Sequence, residues 1–285
     1  MATILGKEFL LGCDPEVFVV DRKGNFVSAH GLIPGTKTAP MKVNNGMVQV
    51  DGMALEFGID PAATKKEFVT RIKDVLAQLR GMLPKGYDIS VSSIARFTPE
   101  IMAAQPEEAL ELGCDPDYNA YTGAKNARPT LPDPNLRSAG GHIHIGWGSK
   151  LPVLEQRHLD ACSALAAEMD YYVGVPSLAW DKDVLRRTIY GAAGAFRPKP
   201  YGMEYRSASN QWLQSEELIE FVYDGTLKAI TSVMKANEDT QAKGVLNLPF
   251  YRGAVSVPPR EIINKNWSAL GQAIFDSLTK EGAHV

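Results

Sequence analysis

Two histidines that alternate with apolar residues are the most informative chemical feature of the chain. His142 and His144 lie in the segment GGHIHIGW at 140–147, and they are two of only five histidines. Alternate residues of a strand project from one face, so both imidazoles are predicted to point to the same side. Because imidazole is a common metal ligand, the pair is predicted to supply a metal ligand and a contact to phosphate or substrate. The flanking glycines allow close approach of a ligand or a neighbouring strand.

Carboxylates occur in two further strand-like segments. Asp14 and Glu16 are two positions apart, so they are predicted to share one strand face, while Pro15 between them indicates a strand edge or a bulge. Glu56 lies in an apolar segment, where a buried carboxylate needs a partner such as a metal ion. The alternatives are that Asp14 and Glu16 are a solvated pair at a strand end and that Glu56 faces water.

A basic segment, RRTIYGAAGAFRPKPYGMEYRSASN at 186–210, contains the next candidates. Glu204 and Arg206 are predicted to share one face of a strand. A guanidinium suits phosphate oxygens because it is a planar fork of donors that stays protonated. The alternatives are an internal ion pair between Glu204 and Arg206, and surface positions for Arg186 and Lys199.

Together these donors form a hard ligand set of carboxylates and imidazole, which favours Mg²⁺ or Mn²⁺ over a thiolate zinc site. Several carboxylates imply more than one metal ion, and a nucleoside triphosphate is the common polyanionic partner of such an array. The sequence has no Walker A motif, because the glycines at 191 and 194 are not followed by the required Lys-Ser/Thr.

The elements that must position these residues are predicted to be strands joined by hairpins and helices, without regular βαβ alternation. This pattern indicates an α+β fold with a largely antiparallel sheet. Thr64 and Glu67 predict a capping box that begins an amphipathic helix. The predicted strands are 8–20, 47–59, 87–94, 139–147 and a zone at 188–207. The predicted helices are 154–173, 213–236 and 259–280, and a long loop is predicted at 115–137.

Composition and charge argue against several classes of protein. The formal net charge is −3, and charged residues are interspersed along the 285-residue chain, which has no nucleic-acid footprint. We expect neither a signal peptide nor a membrane span, because no window has enough consecutive apolar residues. The three cysteines match no zinc or disulfide framework, which favours a reducing cytoplasm.

The order of these segments over residues 8–212 resembles the phage-type COOH-NH2 ligases of the glutamine synthetase and glutamate-cysteine ligase superfamily. The resemblance implies a single catalytic domain over residues 1–285, with a helical C-terminal part at 213–285. It implies a glutamine synthetase-like catalytic fold, a curved antiparallel sheet with helices on its outer face. ATP and Mg²⁺ (or Mn²⁺) are the implied cofactors. The implied metal ligands are Asp14, Glu16, Glu56, His142 and Glu204.

The resemblance also implies a reaction. A substrate carboxylate attacks the γ-phosphate of ATP, and an amine captures the acyl phosphate to form an amide or peptide-like bond. Glu204, Arg197 and Arg206 are the implied catalytic residues, and the implied nucleotide contacts are Arg187, Arg197, Arg206 and His144. The partners would be small-molecule or peptide carboxylates and amines in the cytoplasm, that of the host if a phage encodes the chain. Related ligases often assemble, so a homo-oligomer is consistent with the resemblance.

Several alternatives stay open at this point. Asp14 stands where glutamate is usual, so it binds metal either directly or through water. The sequence does not decide between His142 and His144 as the metal ligand, nor does it give the number of metal ions or the substrates. A two-metal hydrolase of phosphate esters or amides and a catalytically silent nucleotide-binding protein are the rival functions. A cupin or an amidohydrolase barrel is disfavoured by the position of the histidine pair and by the residues that follow it.

Overall fold

A computed structural model describes residues 2–4, 7–111, 117–127, 131–243, 259–266 and 268–282. The strands are β1 (Ala2–Ile4), β2 (Lys7–Cys13), β3 (Glu16–Val20), β4 (Phe26–Val27), β5 (Met41–Val43), β6 (Gly46–Asp51), β7 (Ala54–Ile59), β8 (Asp88–Ser90), β9 (Ile94–Arg96), β10 (Tyr118–Asn119), β11 (Leu136–Ser138), β12 (Ile143–Gly146), β13 (Ala195–Lys199) and β14 (Gly202–Tyr205). The helices are α1 (Lys65–Met82), α2 (Pro99–Ala103), α3 (Glu107–Leu110), α4 (Gln156–Met169), α5 (Val175–Ser177), α6 (Val184–Ile189), α7 (Glu216–Lys243), α8 (Pro259–Asn264) and α9 (Ser268–Gly282). A π-helical turn spans Asp170–Gly174, and a 3₁₀ turn spans Asn210–Gln214.

The strands form two larger sheets and a small ribbon. The first sheet has the order β1-β2-β12-β14-β13-β10, and the second has the order β4-β3-β7-β6-β5 with β8 paired to β3. Strands β9 and β11 form the ribbon. Each of these strand pairs is antiparallel in the described part of the chain. The predicted α+β class with a largely antiparallel sheet is therefore confirmed.

The predicted strand at 8–20 is in fact two strands that belong to different sheets. β2 pairs with β12 in the first sheet, whereas β3 pairs with β7 in the second. The chain crosses between the sheets at Asp14-Pro15, where proline cannot donate a ladder hydrogen bond. As a result, Asp14 and Glu16 stand at the junction of the two sheets.

The predicted strand at 47–59 is also wrong, because this segment is a hairpin. β6 and β7 pair with Asp51 opposite Ala54, which leaves a two-residue turn of Gly52 and Met53. Gly52 has a φ of 58°, a left-handed conformation that glycine adopts readily. The Asp-Gly dipeptide between apolar residues is a hairpin signal, and the hairpin brings Asp51 back toward Glu56.

Helix α1 begins at the predicted position. Thr64 accepts from the backbone N–H of Glu67, and Glu67 accepts from the backbone N–H of Thr64, so the capping box is confirmed. The apolar stripe of α1 is buried and packs against β6 and β7. Helix α4 packs against β13 and β14, and α7 covers both α1 and α4. The main core therefore lies between the sheets and this helical layer.

The zone predicted as strand at 188–207 begins with helix instead. Asp183 caps α6 by accepting from the backbone N–H groups of Leu185 and Arg186, and the helix continues to Ile189. Strand structure starts only at Ala195, after Gly191 and Gly194 have taken positive φ values. The predicted helices at 154–173, 213–236 and 259–280 correspond to α4 with the π-helical turn, to α7, and to α8 with α9.

The predicted long loop at 115–137 contains the short strand β10 and the start of β11, while its residues 115–116 and 128–130 lie outside the described residues. In the C-terminal part, α8 and α9 pack against residues 170–178 through an apolar cluster. That the whole chain forms one domain stays a prediction. Within the described ranges, every helix is too short or too polar to cross a bilayer.

Candidate active site

One face of the first sheet carries a row of polar side chains at matched positions. His144 lies opposite Glu204 in the β12–β14 pair, and Glu204 lies opposite Arg197 in the β14–β13 pair. Directly opposite residues in a sheet have Cβ atoms about 5 Å apart, so these three side chains are neighbours. The intervening residues Ile143 and Ile145 are buried in the main core on the other face. Alternation along these strands thus separates a polar face from the core.

The first group at this face, here called the histidine cluster, consists of Asp14, His142, His144 and Glu204. His144 Nε2 lies 2.9 Å from Asp14 Oδ1. His142 Nδ1 lies 3.3 Å from the same Asp14 oxygen and 3.4 Å from Glu204 Oε1. Asp14, His144 and Glu204 each direct one ligand atom into a space where these atoms lie within 4.8 Å of one another. Both histidines therefore belong to the site, and His144 completes the triplet.

Several polar atoms of the histidine cluster are buried without a hydrogen bond. They are Asp14 Oδ1, His142 Nε2, His144 Nε2 and Glu204 Oε2, and their close contacts are ionic ones, between His144 and Asp14 and between Lys199 and Glu204. Burial raises the pKa of Asp14, but the neighbouring histidines outweigh burial and hold it well below its usual value. Burial lowers the pKa of His144, and the adjacent Asp14 more than offsets this and raises it. Buried polar atoms are nearly always paired, so these atoms fit the role of ligands to a cation.

The second group, here called the carboxylate cluster, consists of Glu16, Asp51 and Glu56. Glu16 is directly opposite Glu56 in the β3–β7 pair. Ligand atoms of all three residues lie within 4.8 Å of one another. Burial, followed by the charge of Asp51, raises the pKa of Glu16 to about 7. Burial and then the charges of Asp14, Glu16 and Asp51 raise the pKa of Glu56 well above its usual value.

Neutral donors hold the carboxylate cluster in place. The backbone N–H of Gly140 donates to Glu16 Oε2 at 2.8 Å. The Gln49 side-chain amide donates to Glu56 Oε1 at 3.1 Å. Because Asp14 acts on the pKa of Glu56, the two clusters adjoin. Neither amide donor carries a charge that would balance the three carboxylates.

Basic side chains also lie next to the histidine cluster, close to Glu204. Lys199 Nζ lies 2.7 Å from Glu204 Oε2, and Arg197 NH1 lies 3.7 Å from the same oxygen. Arg206 contacts Glu204 Oε1 and Asp117, and its guanidinium is almost fully buried. The Arg197 and Lys199 side chains remain about one quarter exposed, so they can reach a ligand above the sheet.

The donor sets of both clusters fit divalent cations. The histidine cluster supplies two carboxylates with imidazole, and the carboxylate cluster supplies oxygen alone, as Mg²⁺ and Mn²⁺ prefer. Cys13 is buried in the main core, and the Cys162 thiol contacts His158 and Gly202. Neither of these two cysteines contributes a ligand atom to the two clusters. The basic residues beside the clusters suit an anionic ligand.

Residues 135–275 match the family model described as "Phage phiEco32-like COOH.NH2 ligase-type 2". The match contains His142, His144, Arg197, Glu204 and Arg206, which form one side of the site. Just under half of the chain therefore resembles the COOH-NH2 ligase family. The antiparallel sheets and outer helices of this chain agree with the architecture that the sequence resemblance implies.

Two solved structures share partial similarity with this chain. A bifunctional glutathione synthetase from Pasteurella multocida aligns with 11% identity and a TM-score of 0.43, over 96% of this chain and 49% of that protein. The chain thus spans about half the length of that protein. A glutamine synthase homologue aligns with 11% identity and a TM-score of 0.35, over 95% of this chain and 67% of the homologue. No curated protein matches the chain in sequence.

Arg187, which was predicted to contact nucleotide, is held by other parts of the chain. Its guanidinium forms an ion pair with Asp181 at 3.1 Å and donates to Asn266 Oδ1 at 2.8 Å. It also donates to the backbone carbonyls of Asp181 and Asp183. These contacts fasten α6 to the segment after α8, and they engage the guanidinium away from both clusters. The nucleotide prediction for Arg187 therefore receives no support from the geometry.

Sequence reasoning missed four residues of the site. Asp51 escaped notice because the segment was predicted as one strand, although its Asp-Gly turn is a recognisable hairpin signal. A surface position was the alternative for Lys199, which lies two positions from Arg197 on the same strand face. Tyr201, whose hydroxyl lies 2.6 Å from His144 Nδ1, and Asp117, which pairs with Arg206, come from distant segments. No sequence pattern indicates these last two contacts.

Proposed function

We propose that this protein is an ATP-dependent carboxylate-amine ligase that forms an amide or peptide-like bond. The observation that carries the proposal is that two groups of potential cation ligands and a basic edge meet where the two sheets join. The family match supports the reaction class. Since the reaction consumes ATP, we place it in the cytoplasm.

The two clusters are proposed to hold two cations. Asp14, His144 and Glu204 would ligate one cation, with His142 adjacent, and the carboxylate cluster would ligate the other. Divalent cations bound there would neutralise phosphate charge and reduce its repulsion of the incoming carboxylate. Tyr201 orients His144 by contacting Nδ1, which leaves Nε2 directed toward Asp14.

The basic residues are proposed to bind the triphosphate. Arg197 and Lys199 are partly exposed beside Glu204, so their positive groups can contact phosphate oxygens and stabilise the charge of the transferring group. Arg206 is proposed to hold Glu204 in its ligating orientation and to add positive charge behind it. Its ion pair with Asp117 fixes the guanidinium in turn.

The reaction is proposed to proceed through an acyl phosphate. A carboxylate oxygen of the substrate attacks the γ-phosphorus of ATP, the bond to the β-phosphate oxygen breaks, and ADP leaves. The amine nitrogen then attacks the acyl carbon, the carbon–oxygen bond to phosphate breaks, and the amine loses a proton. The products are an amide, ADP and inorganic phosphate. Sheet residues that fix the phosphates align the reacting atoms for both steps.

A substrate screen tests the proposal. ADP release from Mg·ATP is measured with pooled small carboxylates and amines, including amino acids and short peptides, for the wild type and Glu204→Gln. Glu216→Gln is the matched control, since Glu216 is half-exposed and pairs with Lys73 on the surface. The proposal predicts release that requires both a carboxylate and an amine, that persists in Glu216→Gln and that is lost in Glu204→Gln. ATP-independent hydrolysis of an ester or amide would favour the two-metal hydrolase, and Mg·ATP binding without turnover would favour a silent protein.

A further inference from the structure

A cavity of about 80 Å³ opens beside the carboxylate cluster. Its lining includes three acidic residues, Glu16, Asp51 and Glu111, together with Arg137 and Ser138. Much of the remaining lining is apolar, with Phe18, Met53, Ala54, Leu131 and Ile189. The cavity therefore combines an acidic wall, an apolar surface and a single arginine, as expected of a small-molecule site.

Arg137 is the unusual group in this lining. The residue is only 9% exposed, and its guanidinium donates to the backbone carbonyls of Pro134, Leu136 and Leu110 at 2.7–3.2 Å. Its Nε is buried and makes no hydrogen bond. Among the described residues, no carboxylate forms an ion pair with it, and burial alone lowers its pKa. The three carbonyls satisfy N–H groups but do not balance the charge.

Other arginines near the site are balanced by acids. Arg206 pairs with Glu204 and Asp117, and Arg187 pairs with Asp181. Arg186 also donates to three backbone carbonyls, but the charge of Asp181 acts on it and offsets part of the effect of burial. A buried charge without a counter-charge is costly, so the arrangement at Arg137 calls for an anion from outside the protein.

We infer that this cavity binds a small organic carboxylate with an apolar body, and that Arg137 supplies the counter-charge for its carboxylate group. The apolar lining would contact the body of the ligand, and the adjoining carboxylate cluster would place it beside the reacting phosphate. The inference rests on the proposed function and gives the substrate class of the same site. Arg137 would thereby make the cavity bind carboxylates more tightly than neutral molecules of the same shape.

The test measures binding and does not require turnover. Butyrate, valerate and isocaproate, each beside its primary amide, are titrated by ligand-observed NMR against protein with Mg²⁺ and without nucleotide. Wild type is expected to prefer at least one carboxylate over its amide by about 10-fold or more. Arg137→Gln is expected to lose this preference, and Arg137→Lys to retain part of it because the charge remains.

Arg96→Gln is the matched control, because Arg96 lies opposite Leu136 on the neighbouring strand β9, is exposed and pairs with Asp133. It should preserve the preference. A purely structural role of Arg137 would change carboxylate and amide affinity equally. The inference is overturned if no carboxylate binds the wild type in preference to its amide, or if Arg137→Gln keeps that preference. Since no ATP is present, carboxylate binding and ATP-dependent ligation succeed or fail separately.

Discussion

Glu16 and Glu56 stand directly opposite each other on adjacent antiparallel strands, and Asp51 joins them from the hairpin turn. Like charges in this position destabilise a sheet unless a proton or a cation lies between them. The raised pKa values of Glu16 and Glu56 have the same physical origin, which is burial beside other carboxylates.

Removing one of these carboxylates tests the carboxylate cluster as a cation site. Glu56→Gln keeps the size of the side chain and removes a ligand charge, so it is expected to weaken Mn²⁺ binding by about 10-fold or more. Titration of free Mn²⁺ by electron paramagnetic resonance measures the affinity, with Glu216→Gln as the surface control. Unchanged affinity in Glu56→Gln would show that the carboxylates hold protons and bind no cation.

The contact between Tyr201 and His144 yields a prediction about a residue that touches no cation. Tyr201→Phe removes the hydroxyl that lies 2.6 Å from His144 Nδ1 and frees the imidazole to rotate. Loss of such a partner costs about 10- to 100-fold in metal affinity. The same Mn²⁺ titration checks this value, with Tyr87→Phe as a control because Tyr87 is exposed. Equal affinity in the two variants would exclude an orienting role.

Lys199 is predicted to contact phosphate. Lys199→Met keeps the aliphatic chain but removes the ammonium group beside Glu204, so ATP affinity is expected to fall by about 10-fold or more. Calorimetric titration with Mg·ATP gives the affinity. Lys42→Met, at an exposed position that pairs with Asp60, should bind ATP like the wild type. If the two variants bind ATP equally well, Lys199 only balances the charge of Glu204.

Arg186 is predicted to be structural. It is fully buried and donates to the backbone carbonyls of Ala139, Ser207 and Ala208, which ties the start of β12 to the end of β14. Arg186→Met would leave these carbonyls unpaired and is expected to reduce the free energy of unfolding by about 3 kcal/mol or more. Urea unfolding measures the change. Arg157→Met, at an exposed position of α4, should stay within about 0.5 kcal/mol of the wild type.

Glu168 gives a prediction of pH dependence away from the site. Burial raises its pKa from 4.5 to about 7, so the folded state binds more protons than the unfolded state between these two values. The stabilising contribution of Glu168 is therefore fully present below about pH 4.5 and is lost as pH rises through about 7, a change of up to about 3 kcal/mol. To measure this loss, the free energy of unfolding is compared between the wild type and Glu168→Gln from pH 4.5 to 8. A constant difference between the two proteins would contradict the raised pKa.

Local patterns predicted the parts of this fold that depend on neighbours in sequence. The capping box of Thr64 and Glu67 gave the start of α1, and the alternation around His142 and His144 gave the polar strand face. Those features require only helix capping and the twofold repeat of a strand.

Local sequence patterns could not predict contacts between distant segments. The break at Asp14-Pro15 sends the two acids to different clusters, and this depends on which sheets β2 and β3 join. Arg187 and Arg197 are both arginines of the basic segment, so residue type does not distinguish them. In the structure, Arg187 on α6 pairs with Asp181, whereas Arg197 on β13 lies opposite Glu204. Residue type suggested the chemistry, and tertiary pairing determined which residues take part.

The most direct test of the central claim is calorimetric titration of the protein with a non-hydrolysable ATP analogue, in Mg²⁺ and again in EDTA. We expect binding in Mg²⁺ that is weakened by about 10-fold or more in EDTA and in Glu204→Gln, since the cations and the basic edge would act together on the phosphates. Absence of binding in Mg²⁺, or equal binding with and without the metal ion, would contradict a nucleotide site built on these two clusters.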